Sequence, residues 1–188
     1  MYYLCIMKFD DLTEDGRLWA VRFEDDGENE LEKAFEQWND IGWLEDFFKA
    51  NVDDLASYFH ITSIDRAIYD TIEDANELQS IIMDISPDAN LDKLFRHLDN
   101  NRISEMVLGR EKAKGRFRYG HSSWLRLYAL KFEAGSYLIT GGTIKLTYQM
   151  SERKHTLDEL IKIERVRDFL RNEGVCDLDG FKDYIKQN

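Results

Sequence analysis

The chain has 188 residues, 43% hydrophobic and 33% charged, with a formal net charge of −12. This length suits a single domain, 1–188, with a real hydrophobic core, and the interleaving of charged with apolar residues excludes a long disordered tract. Two scattered cysteines, Cys5 and Cys176, exclude a disulfide framework. No run reaches transmembrane length, and the apolar start MYYLCIMKFDD lacks the basic lead of a signal peptide. A cytoplasmic protein without a membrane partner is expected.

The charge is unevenly spread. Residues 1–100 hold 25 acids and 8 bases, whereas residues 101–188 hold 12 acids and 17 bases. Such halves can simply neutralise one another as solvated faces. Alternatively, a basic face inside an acidic protein holds a chosen RNA or an acidic partner and avoids indiscriminate binding.

In chain order, residues 2–9 and 17–23 favour strand, joined by the turn-like DDLTEDG. They form a hairpin, or one strand at 17–23 with a looser lead-in. The acidic DDGENE at 25–30 lacks the ligand spacing of a calcium loop and suits the start of a helix over 28–39. Leu31, Phe35 and Trp38 share one face of it. A break at 39–42 precedes a second helix near Trp43, with Leu44, Phe47 and Phe48 inward. Leu55, Tyr58 and Phe59 mark a short helical piece beside His60, which reads as structural. Ser63 caps a helix over 64–85, and Ser86-Pro87-Asp88 ends it. Leu91, Leu94, Phe95 and Leu98 predict a helix at 91–99 with His97 on its polar side. Residues 103–108 fit a strand or the tail of that helix.

From 109 to 123 the chain is basic and glycine-punctuated, and reads as a loop or irregular strand edge. Residues 110–131 carry seven bases (Arg110, Lys112, Lys114, Arg116, Arg118, Arg126 and Lys131) against one acid, Glu111. Residues 124–133 look like a strand buried on both faces, in which Arg126 is the odd member. Its bland role is a salt bridge. After a turn at 133–136, a strand over 137–148 contains Gly141 and Gly142, which suggest a bulge or the close approach of another backbone. Thr156 and Glu159 form a capping box that opens a helix over 157–172, closed by Gly174. Leu178, Phe181 and Ile185 suggest a last short helix.

Several chemistries find no support. Ser122 and Ser123 lack a nucleophile-elbow context, no phosphate loop of the GxxxxGK type occurs, and the histidines and cysteines are scattered. No metal or cofactor is expected. Metal-free RNA cleavage remains. There the ribose 2′-hydroxyl attacks the adjacent phosphate, and the protein must move protons and neutralise the phosphorane. Arg126, Lys145, Tyr148 and His155 are the candidate catalytic residues. Arg110, Lys112, Lys114, Arg116, Arg118, Lys131, Arg153 and Lys154 are candidates for holding RNA. Strict alternation sets Tyr148 with Ile144 and away from Lys145 unless the strand twists or ends there.

The run Leu125-Arg-Leu-Tyr128, a turn, Tyr137-Leu-Ile-Thr-Gly-Gly-Thr-Ile-Lys145-Leu-Thr and a following helix resemble the C-terminal half of RelE/HigB-type bacterial toxins. Arg126 and Lys145 fall at the matching positions, and KGRFR at 114–118 looks like the basic approach to the sheet. The good match spans about 124–149 and a loose one 17–170, with a strand at 17–23 followed by helices suiting a β-α-α-β-β-β order. The chain departs from that family in its greater length, in an acidic helical insertion at about 50–100 and in Leu146, where a second lysine often follows. The resemblance implies an α+β fold, RelE/ParE-like, with a small, mostly antiparallel twisted sheet flanked by helices and a core over 17–172. It implies a metal-independent endoribonuclease acting on mRNA, which can be ribosome-bound, and a cognate antitoxin protein as partner. The alternative is a non-catalytic RNA- or protein-binding module of the same fold.

Overall fold

A computed structural model of the chain describes residues 7–23, 27–85, 87–98, 108–114 and 120–187. Expectations for residues 2–6, 25–26, 86, 99 and 103–107 lie outside the described residues, as do Arg116 and Arg118. The protein is α+β, and its described strands form one six-stranded, mostly antiparallel sheet. Strands β1 (Met7–Asp11) and β2 (Leu18–Phe23) make a hairpin, one of the two arrangements the sequence allowed. Helices α1 (Glu30–Asn39), α2 (Ile41–Ala50), α3 (Val52–Phe59) and α4 (Ile64–Met83) follow. Then come β3 (Arg96–His97), β4 (Gly109–Lys114), β5 (Leu125–Glu133) and β6 (Ser136–Ile144), and finally α5 (Lys154–Asn172) and α6 (Leu178–Gln187). The sheet order is β1-β2-β6-β5-β4-β3, and only the β2–β6 pairing is parallel.

Strand alternation divides the core in two. Leu18, Ala20, Leu125, Leu127, Ala129 and Ile139 face the α1–α4 layer, where Phe35, Trp38, Leu44, Phe48, Leu55 and Leu78 meet them. Trp19, Val21, Tyr128, Leu130, Phe132 and Leu138 face α5 and α6, under Ile163, Val166, Leu170 and Phe181.

Local chemistry explains most helix ends. Asn29 caps α1 in a capping box with Glu32, and Glu30 of DDGENE lies in the first turn of the helix. Asp40 both ends α1 and caps α2 by accepting from the Trp43 N–H, which moves the start of α2 back to Ile41. His60 ends α3 at φ 56°, and Ser63 caps α4 as expected.

Two expectations are corrected. Residues 91–98 do not form a helix. A single 3-10 turn over Leu91–Lys93 buries Leu91 and Phe95, and Arg96 and His97 then pair with Lys112 and Glu111 on the edge of the sheet. The apolar residues satisfied a helical period, but an open strand edge supplied the backbone partners instead. That edge is β4, so of the two readings of 109–123, loop or strand edge, residues 109–114 take the strand. The Thr156–Glu159 capping box does not form either. Helix α5 begins at Lys154, the Thr156 hydroxyl donates to the carbonyls of Met150 and Arg153, and Glu159 is buried against Lys162.

The register shifts between Tyr128, which pairs with Gly141, and Ala129, which pairs with Ile139, so Gly141 borders a bulge at Thr140. The close neighbours are side chains from both layers. A Cβ on Gly141 would lie 2.0 Å from Glu159 Oε2, and one on Gly142 would lie 2.9 Å from Ala34 Cβ. Strand β6 ends at Ile144, short of the expected 148.

Candidate functional site

Helix α5 packs over β6 and β5. On that same face, strand register places Arg96 opposite Lys112, Lys112 opposite Tyr128, and Lys114 opposite Arg126. The result is a hollow of about 880 Å³, walled by Leu160 of α5, by the segment after β6 and by Tyr58 and Phe59 of α3. Its lining includes Arg96, Arg110, Lys112, Lys114, Arg126 and Lys145, and no carboxylate among the described residues.

Cationic side chains directly opposite one another repel, so this arrangement opposes folding locally. The ionisation of the groups records it. Burial, followed by the charges of Arg126 and Lys112, pushes the Lys145 ammonium down to about 8. Burial and then Arg126 and Arg96 lower Lys114, and burial lowers Arg126. Arg110 is neutralised by Glu164 at 2.8 Å. Among the described residues, no carboxylate pairs with Arg96, Lys114, Arg126 or Lys145 within 4.0 Å. Arg126 instead donates from Nη1 to the carbonyls of Ser123 and Leu125, both at 2.7 Å. This is not the salt bridge that a bland role for Arg126 called for.

Because β6 stops at Ile144, the chain turns, and Lys145 and Tyr148 line the same hollow. Lys145 Nζ donates to the carbonyls of Thr147 and Tyr148, at 2.6 and 2.5 Å. The Tyr148 ring stands at the mouth, 84% exposed. On the floor, Tyr128 is buried and its hydroxyl has no hydrogen-bond partner among the described residues. Burial, against the favourable charge of Arg126, raises the pKa of that phenol and keeps it protonated.

The other candidates lie elsewhere. His155 is turned to the helical layer, its Nε2 against the Ile144 carbonyl at 3.1 Å and its ring edge-on to Phe47. Burial lowers its pKa. Arg153 makes a two-pronged pair with Asp54 at 2.6 and 2.7 Å. Lys154 pairs with Asp158 on the surface, and Lys131 pairs with Asp92 beyond the other face of the sheet. The hollow thus unites Arg110, Lys112, Lys114, Arg126, Lys145 and Tyr148.

Arg96, Tyr58 and Tyr128 join them and escaped the sequence reading. Arg96 was hidden by the helical period at 91–98. Tyr128 stood in an apolar strand, and only its spacing of two from Arg126 signals a shared face. His121 stacks on Trp124, with its nitrogens against Asp70 and the Ser122 carbonyl, so it makes no serine–histidine pair.

No protein-family model, curated protein or solved structure matches the chain. Among the described residues, no helix is long and apolar enough to cross a membrane.

Proposed function

We propose that the hollow holds an RNA strand by its phosphates and cleaves it without a metal, as an endoribonuclease toxin of the RelE/HigB type would, with a cognate antitoxin as partner. One observation carries this reading. Six cations from three strands and the segment after β6 converge on one hollow that no carboxylate lines among the described residues, where four of them also have no acidic partner. Such a concentration of unneutralised charge is costly unless an anion arrives. The element order also supports it: strand β2, helices, the antiparallel strands β3 to β6 and a helix, with Arg126 on β5 and Lys145 just past β6.

The chemistry follows from the charges. With its pKa near 8, a fraction of Lys145 is neutral at physiological pH and accepts the 2′-hydroxyl proton as that oxygen attacks phosphorus. The 5′-oxygen leaves with a proton from the resulting ammonium, giving a 2′,3′-cyclic phosphate and a 5′-hydroxyl. Arg126 and Lys114 offset charge on the phosphorane. His155 has no part, since its Nε2 faces the Ile144 carbonyl.

The purified protein is expected to yield these two ends from single-stranded RNA, with kcat/KM rising with pH to a plateau above about 8. Lys145→Arg keeps the charge but loses the titratable amine, so it should bind RNA and cut at least a hundredfold more slowly, about the contribution of one general base. In cells, expression should arrest growth unless the neighbouring gene is supplied, and Arg126→Ala or Lys145→Ala should abolish the arrest. RNA binding without cleavage by the wild type would favour a non-catalytic module. That second reading draws on the absence from the hollow of any histidine to share the proton work.

A further inference from the structure

Tyr148 is 84% exposed, while Leu146 and Thr147 beside it are buried. Its ring is nonetheless held. Tyr58 of α3 packs edge-on against it, with ring centroids 4.9 Å apart. The Tyr58 hydroxyl donates to Glu152 Oε2 at 3.3 Å, and the other Glu152 oxygen accepts from the Gln149 N–H. Arg153 ties the same stretch to Asp54, one turn before Tyr58. Lys145 grips the backbone from the inner side through the carbonyls of Thr147 and Tyr148. An aromatic face is therefore kept in solvent, on a fixed support, at the rim of a cationic hollow.

Cations alone accept any polyanion, and an exposed ring alone accepts many apolar groups. The two side by side match a strand whose phosphates lie on the cations and whose base lies on the ring. We propose that Tyr148, buttressed by Tyr58, stacks one unpaired nucleobase of the strand held in the hollow. This rests on the phosphate-binding reading above and adds a base to it. A duplex offers no free base face, so the site discriminates against it. Tyr58 belongs to the acidic helical region, which thereby contributes a positioning residue to the site and is more than a counter-charge.

Fluorescence anisotropy with three probes tests this: a single-stranded RNA, an abasic ribose-phosphate oligomer of equal length, and an RNA duplex. The wild type should bind the single strand about tenfold more tightly than the abasic oligomer, the scale of one base–aromatic stack. Tyr148→Ala should erase that difference, and Tyr148→Trp should restore it. Tyr58→Ala should reduce it. Equal affinity of the wild type for both single-stranded probes, or a Tyr148→Ala protein that still prefers bases, overturns the inference while phosphate binding stands. If neither probe binds, the phosphate reading falls and takes this inference with it.

Discussion

Tyr128 sets stability against binding within a single side chain. Its hydroxyl is buried beneath the cations and has no acceptor among the described residues. An unsatisfied buried polar group costs on the order of 1–3 kcal/mol. Tyr128→Phe removes that cost without changing the ring, so it should raise the denaturant midpoint by an amount equal to about 1 kcal/mol. The same change deprives a bound phosphate of a donor on the floor, so affinity for single-stranded RNA should fall. A variant that is less stable than the wild type would show that the hydroxyl is satisfied in solution. Arg126 illustrates how far a single residue could be read beforehand. Its place in an apolar strand signalled a special role, but the carbonyls that hold it belong to its own turn and carry no sequence signature.

At the scale of elements, α5 is seated by a four-charge cluster of Lys162, Glu159, Glu30 and Lys33. Lys162 donates to Glu159 and to Glu30 of α1, each at 2.6 Å. Lys33 also donates to Glu30, at 2.9 Å, so two ammoniums face two carboxylates. Burial raises the pKa of Glu159 to about 7, and its Oε2, without a hydrogen-bond partner among the described residues, lies against Gly141. Burial also works against the charge on Lys162, but Glu159 and Glu30 outweigh it and hold its pKa above the usual lysine range.

The sign of the pH effect is fixed by linkage. The folded protein binds the Glu159 proton more tightly than the unfolded chain, whose carboxyl titrates near 4.5. Stability from this group is therefore full below about 4.5 and is lost as pH rises to about 7. Glu159→Gln should flatten that part of a stability–pH profile measured by urea unfolding. An unchanged slope would mean that another group titrates there. The pair of glycines in β6 pointed to close packing, yet which helices approach them depends on contacts more than a hundred residues apart in sequence, such as Lys162 to Glu30.

For the whole molecule, the net charge of −12 and the cationic hollow act together. The acidic surface repels polyanions everywhere except at the hollow, and the field there draws them in. Four hollow cations without acidic partners among the described residues imply a plot of log K against log salt with a slope of roughly −3, at about 0.7 per neutralised phosphate on a single strand. Arg96→Gln should make that slope shallower by about 0.7, because the contact it loses is electrostatic. A slope near zero would remove phosphates from the account of this hollow.

By itself the sequence determined much of the local structure: the strand at 17–23, the cap residue Ser63, the buried strand β5 and the turn before β6. It also showed that the basic residues crowd into 110–131. These depend on neighbours a few residues apart, where period and capping chemistry act directly. Only the tertiary structure decided which cations meet. Strand pairing set Arg96 beside Lys112, the early end of β6 swung Lys145 and Tyr148 to one side, and the reach of α5 left that part of the sheet uncovered. The same long-range packing sent Arg153 to Asp54 and His155 to Phe47. A side chain's partner across the fold is chosen by register and helix placement, and the local pattern of residues does not encode that choice.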